Sequence, residues 1–442
     1  MADGLKLNLK EAIVLKNSQG LIWAINGRGS SGTSAFYWNS PTVFTVDVSY
    51  GQTVTFYIFG GPCRVDWGDG TVVTGASKTT SHTYAASTGT YDIHFSSTAP
   101  RRVDRPEGLG NNSVVAVKGY YGNGNGTISQ IGSDNLTSVP ALLPPDIQVL
   151  NYAFLGSSVY GTGAQYLNDP NISEWDTSNI VQMRSVFHGC TTFNQPLSGW
   201  DTSKVTTMRS MFNTAQGFNQ DISGWDVSNV TDMRSMFEGA DVFNANISGW
   251  NVSKVSSASF MFNGANAFNQ DISGWNTSSF TGSLERMFQS AHAFNQDISG
   301  WDVSGVTYMR GLFQAAFAFN QDITAWDTSN VTDMAAMFVF ATSFNQDLGA
   351  LKINSVTNMG SMLSFDSFYP TSMSTENYSR TLIGFANSHY AGNAQNNVPF
   401  GAATLTYNNT AYTTGNQFND AVSARNYLVN TAGWTITDGG QV

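Results

Sequence analysis

The sequence predicts a mainly β protein with short helices: a β-sandwich followed by an α/β solenoid with a C-terminal cap. Three observations predict it. Tryptophan returns every 25 residues at Trp175, Trp200, Trp225, Trp250 and Trp275, then, after one 26-residue step, at Trp301 and Trp326. Phenylalanine keeps the same register at Phe193, Phe218, Phe243, Phe268, Phe294, Phe319 and Phe344, mostly followed by Asn-Gln. A fixed period of this length marks a solenoid, in which each unit buries its apolar side against its neighbours. Upstream, residues 41–98 alternate or run apolar between turn residues, as strands do.

Composition narrows the function. The 442 residues are long enough for several cores. Only 12% are charged, against roughly 25% in an average domain, so hydroxyls and amides make most of the surface. A net charge of -11 argues against a nucleic-acid partner, which wants a basic stripe, and against an anionic membrane. No apolar run approaches the roughly 20 residues of a membrane span, so no membrane insertion is expected. Cys63 and Cys190 exclude a disulfide scaffold. Cys190 sits where later repeats carry Ala215, Ala240 and Ala265, and so reads as a small buried residue. The start, Met-Ala-Asp-Gly-Leu-Lys, lacks the layout of a signal peptide and a lipidation cysteine. Export by the general secretory route is therefore not expected.

Residues 1–40 read as an N-terminal arm or attachment segment. Within 41–98, Asp66-Trp-Gly-Asp-Gly70 is a strand entering a tight turn, followed by His82-Thr-Tyr84 and Gly89-Thr-Tyr91. These motifs resemble the PKD-like immunoglobulin sandwich, which implies a spacer or adhesion element. The unit is short for that fold, and strands from 10–37 are candidates to complete it. Residues 99–150, with the Gly122–Gly126 run and Pro140, Pro144 and Pro145, read as an irregular cap on the first coil.

The repeats occupy 151–365. In the clearest one, Val230, Met233, Met236, Phe237 and Ala240 recur at helical spacing, which predicts a short one-sided helix capped by Ser228. Asp221–Trp225 alternates, which predicts a short strand with Ile222 inward. About eight coils at roughly 4.8 Å would stack to about 40 Å. The core Met236-Phe237-x-x-Ala240-x-x-Phe243-Asn244-x-x-Ile247-Ser248 resembles the BspA-like leucine-rich repeat, also found in mycoplasma surface lipoproteins and in phage structural proteins. Residues 366–442 read as the C-terminal cap, which an open last coil requires.

Several rows invite a chemical reading. Asn219, Asn269, Asn295 and Asn320 recur once per coil, as do Trp225, Trp275 and Trp301. Such regularity reads as structural ladders, because a row gripping an irregular ligand varies. Asp271, Asp297 and Asp322, with Ser273, Ser299 and Thr324, line the expected strand face and are the candidate ligand-binding residues. Tyr308 and Phe340 are added as aromatics that vary between repeats. Stacked carboxylates also suit calcium. Pro196 and Asn246 interrupt the row and glycine-rich ligand loops are absent, so no cofactor is expected, with calcium as the alternative. Gly27-Arg-Gly-Ser-Ser-Gly32 matches a dinucleotide fingerprint but leads into no amphipathic helix. No zinc spacing, no nucleophile elbow and no differentiated carboxylate pair appears, so no catalytic residue is assigned.

The expected function is therefore non-enzymatic recognition of a bacterial surface polysaccharide or protein. Without an export signal, the first hypothesis is a phage fibre, spike or decoration protein that joins other virion proteins through its N-terminal region. A bacterial cell-surface adhesin is the alternative, and a carbohydrate-active enzyme the third reading. A homo-oligomer is compatible with each.

Overall fold

The computed structural model describes residues 13–16, 22–25, 42–48, 52–84, 89–96, 102–107, 114–119, 135–140, 143, 147–155, 164–412 and 416–442. The Gly27–Gly32 motif and the Gly122–Gly126 run lie outside them. The chain divides into two units, Met1–Ser40 and Pro41–Val442. In the first, β1 (Ile13–Lys16) and β2 (Ile22–Ile25) form an antiparallel pair. The fold class among the described residues is small sheets with two α-helices and no closed barrel.

In the second unit six strands make one antiparallel sheet: β3 (Thr42–Val48), β4 (Gln52–Asp66), β5 (Val72–Tyr84), β6 (Gly89–Ser96), β7 (Arg102–Glu107) and β8 (Val114–Gly119). The order is β5-β4-β6-β3-β8, with β7 on β4. Long β4 binds β7 through Thr55–Phe59 and β6 through Arg64–Asp66. Strands β7 and β8, beyond residue 98, belong to this sheet, while most of 10–37 lies outside the described residues.

The turn after β4 follows from its residues. Asp66 Oδ1 accepts the Gly68 N–H and Asp69 Oδ1 accepts the Thr71 N–H. Gly68 has φ +80, and a Cβ there would lie 2.6 Å from the Asp92 carbonyl oxygen, so only glycine serves. Tyr84 donates to the Trp67 carbonyl at 2.7 Å, and His82 packs between the Trp67 and Tyr84 rings. His82 also meets Asp69 at 2.6 Å. The sequence motifs thus gather around one buried tryptophan.

The repeats build neither the expected helix nor the expected strand. Val230–Ala240 alternates two kinds of bond. Met233, Ser235, Phe237 and Gly239 donate their N–H groups to Ser257, Ser259, Met261 and Asn263 of the next coil. Met236, Glu238 and Ala240 bond back to Met233, Ser235 and Phe237. A helix needs every N–H to reach four residues back, but here half are spent between coils. Ser235 (φ 55) and Gly239 (φ 67) are left-handed, which breaks the helical run. Ser228 is not a helix cap: its N–H is held by Asp226 Oδ1 at 2.9 Å. Asp221–Trp225 is likewise a turn, with Ile222 buried as expected.

Extended pairing between coils shrinks to single parallel bridges, Gln182 to Thr207 to Asp232 to Ser257, and Tyr308 to Asp333 to Asn358. Two short parallel strands occur as well, β9 (Gly282–Ser283) and β10 (Val306–Tyr308). They mark the 26-residue step. Phe280 to Leu284 spans one residue more than Val255 to Ala258 or Val306 to Met309, and Gly282 (φ 76) takes the extra residue.

Packing repeats as faithfully as the backbone. Trp225 stacks on Trp250 at 6.4 Å, Phe218 on Phe243 at 6.2 Å, and Phe237 on Phe262 at 5.8 Å. Within a coil, Phe237 meets Phe243 at 3.8 Å. Aromatic pairs add about 0.5–1.5 kcal/mol each beyond area burial. Cys190 and Cys63 are both buried, and burial pushes the Cys190 thiol well up.

After the repeats come α1 (Thr375–Tyr390), β11 (Pro399–Tyr407), α2 (Ala421–Asn430) and β12 (Thr435–Gln441). Strand β11 continues the last coil: Leu363 donates to Gly401, and Met359 bridges Phe400. Strand β12 then pairs parallel with β11. Helix α1 crosses the last turn where Gly384 faces Gly349 so closely that a Cβ on Gly384 would collide with backbone.

Candidate functional site: the rows of the repeat stack

The Asn row is one hydrogen-bonded ladder. Asn194, Asn219, Asn244, Asn269, Asn295 and Asn320 each offer Oδ1 to the N–H of the next member, at 2.8–3.0 Å. Asn345, the last rung, accepts the Ser374 N–H and the Asn377 amide at the start of α1. The ladder therefore passes into the cap. In the Trp row too the later coil donates to the earlier one, but here the side chain is the donor. Trp225, Trp250, Trp275, Trp301 and Trp326 donate Nε1–H to Leu197, Ile222, Ile247, Ile272 and Ile298 carbonyls of the preceding coil. Both rows satisfy polar groups that the core would otherwise strand.

The carboxylates assigned to ligand binding are turn residues. Asp271 Oδ1 accepts from the Ser273 N–H, Asp297 from Ser299 and Asp322 from Thr324, each at 2.9 Å. Asn246 does the same for Ser248, which explains why it stands in the row. The hydroxyl and backbone N–H of Ser273 hold Asp271 below the usual carboxylate range, and those of Ser299 do the same for Asp297. Asp271, Asp297 and Asp322 remain exposed, with one oxygen each committed inside the protein. A second row, unnoticed in the sequence, follows each tryptophan: Asp176, Asp201, Asp226, Asp302 and Asp327, with Asn251 and Asn276 between them. Its visible signal is Trp-Asp/Asn-x-Ser. Among the described residues no three His, Cys, Asp or Glu side chains converge as a metal site.

Tyr308 is 46% exposed but does not join the Asp row. It lies on the bridge row with Ser283 and Asp333. Phe340, half-buried with φ 58, packs on Tyr369 at 4.9 Å. The candidate binding residues therefore fall in three separate registers of the repeat.

Another row escaped sequence reasoning. Gln182, Thr207 and Asp232 flank buried Met183, Met208 and Met233 on one side, and Arg184, Arg209 and Arg234 flank them on the other. The Ser185 N–H donates to the Arg209 carbonyl and the Ser210 N–H to that of Arg234, which sets the three arginines in register. The Met-Arg-Ser triplet was legible but was absorbed into the expected helix.

These coils, each bonded to the next by the same groups, define a repeat protein with stacked units. Residues 157–375 match, in overlapping stretches 157–275, 222–310 and 261–375, a family described as Mycoplasma protein of unknown function, DUF285. The matched stretches overlie the repeat region. No curated protein and no solved structure matches the chain.

Proposed function

We propose that the chain is a non-enzymatic recognition protein of a cell surface, in which a leucine-rich-repeat-type solenoid presents a polar face to a polysaccharide or protein partner. The observation that carries this reading is the division of labour among the rows. Asn, Trp and turn Asp side chains are committed coil by coil to holding the stack. Variation is left to exposed positions, as on a surface built to bind. The low share of charged residues favours partners met through hydrogen bonds and bridging waters. The six-stranded sheet serves as a PKD-like spacer, a reading supported by His82, Tyr84 and Tyr91 packing around the Trp67 turn.

The family match favours the cell-surface reading over the virion reading, since its description names a cellular organism and no virus. Among the described residues no helix is long and apolar enough to cross a membrane. Antibody-gold labelling of cells and of lysate particles, viewed by electron microscopy, tests the proposal. Gold on the cell envelope is the expected result. Gold on virus particles alone would overturn it and restore the virion role.

A further inference from the structure

We infer that the Arg184–Arg209–Arg234 column is a binding site for a linear acidic glycan, a deepening that rests on the recognition role proposed above. The stack does not require arginine here. Other members of the row are Ser259, Glu285, Arg310, Ala335 and Gly360, and the backbone bonds between coils are the same. The backbones that carry the three arginines stand in successive coils, roughly 4.8 Å apart by ladder spacing, so like charges gather on one row of a protein whose net charge is -11.

Relief is only partial. Arg234 is paired with Asp232 through two bonds, Nε to Oδ1 at 3.0 Å and Nη2 to Oδ2 at 2.7 Å. Among the described residues, Arg184 and Arg209 have no carboxylate within ion-pair distance, though Asp232 attracts Arg209 from further off. The nearby Glu238 carboxylate is held between the Asn213 and Asn263 amides. Arg184 lies over the Tyr152 ring at 5.3 Å, which fixes its direction. Its Nε is buried and has no hydrogen-bond partner among the described residues.

The column is therefore a local basic stripe on an acidic protein. A guanidinium fork matches planar carboxylate or phosphate oxygens and holds them by paired hydrogen bonds. Arginines repeated once per coil suit a chain that carries an anion at intervals, and the Gln182 side-chain N–H groups, whose carbonyl oxygen is held by Asn151, and the Thr207 hydroxyl offer bonds to hydroxyls. The oxyanion class, carboxylate or phosphodiester, is left to the test.

The test measures binding of the full chain to polygalacturonate, a glycerol-phosphate polymer, a neutral glucan and single-stranded DNA at several salt concentrations. Salt-sensitive binding to one of the two anionic glycopolymers, with little to the glucan or DNA, is expected. R184Q/R209Q should lower that affinity at least tenfold and flatten its salt dependence, since fewer counterions are released. R310Q, in the same row but beyond the cluster, should leave affinity unchanged. R209Q alone, which leaves the Tyr152 contact intact, guards against misfolding of the double variant and should give an intermediate loss. Unchanged affinity in R184Q/R209Q overturns the site, and equal binding to DNA overturns the glycan. Should gold labelling fail on cells while acidic-glycan binding holds, the cell-surface role falls and the column stands.

Discussion

Asn295 Oδ1 accepts the Asn320 N–H at 2.9 Å and the Gln321 side-chain amide at the same distance. One carbonyl oxygen thus satisfies two donors of the next coil, and Asn295 is itself held through its N–H by Asn269. Removing that oxygen strands the Asn320 N–H, while the Gln321 amide keeps its bond to the Asn295 backbone carbonyl at 3.0 Å. Asn295→Ala is expected to cost about 1–3 kcal/mol, the penalty of one unsatisfied half-buried donor. Asn295→Asp keeps the acceptor and should remain close to the parent above pH 5. Urea unfolding of the two variants checks this; equal losses would show that the ladder is not what Asn supplies.

The repeating core was readable because burial is periodic: the Trp, Phe and Met spacings name buried residues whatever the local backbone does. The local backbone was misread for the same reason. Val230, Met233, Met236, Phe237 and Ala240 have helical spacing, yet alternate N–H groups leave for the next coil, a choice that only the neighbour's presence decides. The charge of Asp297 is legible in the sequence, but its bond to Ser299 is not. Arg184 and Arg209 carry no such signal, since their alignment exists only once coils are in register.

The turn carboxylates set an acid limit. Hydrogen bonds from Ser304 hold Asp302 below the usual range, and Ser178, Ser203 and Ser228 do so for Asp176, Asp201 and Asp226. A carboxyl whose folded pKa is depressed binds its proton more readily when unfolded. Its stabilisation is present above the ordinary value of about 3.9 and is lost as pH falls through the folded value. Thermal midpoints should therefore be flat near neutrality and fall steeply below about pH 4. Asp302→Asn, which keeps the turn acceptor, should reduce the slope.

Asp347 works the other way. Burial pushes its pKa up, although the Gly349 N–H and Arg380 oppose the shift. A raised carboxyl costs stability as pH climbs from about 4 through its folded value. Asp347→Asn retains the bond to Gly349 and removes the charge. The variant should match the parent near pH 4 and melt higher at pH 7. A lower melting temperature at pH 7 would mean that the charge is needed, with Arg380 the reason.

The Asp438 side chain, 2% exposed, is held by Arg425 at 2.8 Å and by the Tyr378 hydroxyl at 3.0 Å. These bonds tie β12 to both cap helices. Arg425→Ala leaves a buried carboxylate without its cation, and breaking such a pair costs about 3–5 kcal/mol. Loss of the cap exposes the last coil, so proteolysis should begin near residue 375 in the variant. Cleavage elsewhere, with β12 still protected, would place the end seal in other contacts.

Each coil repeats two left-handed positions: Ser210 with Thr214, Ser235 with Gly239, Phe260 with Gly264, and Gly311 with Ala315. An L-residue in this conformation costs roughly 1–2 kcal/mol, and glycine avoids it at some loss of chain entropy. Ala315, with φ 54, stands where three earlier coils carry glycine, Gly189, Gly239 and Gly264. Ala315→Gly should therefore stabilise the stack by on the order of 0.5–1 kcal/mol, while Gly264→Ala, at φ 70, should destabilise it by at least as much. Because coils contact only their neighbours, each effect should be local. Hydrogen exchange should show protection rising around Ala315 in the first variant and falling around Gly264 in the second. A change spread evenly over all coils would mean that the stack unfolds as one unit.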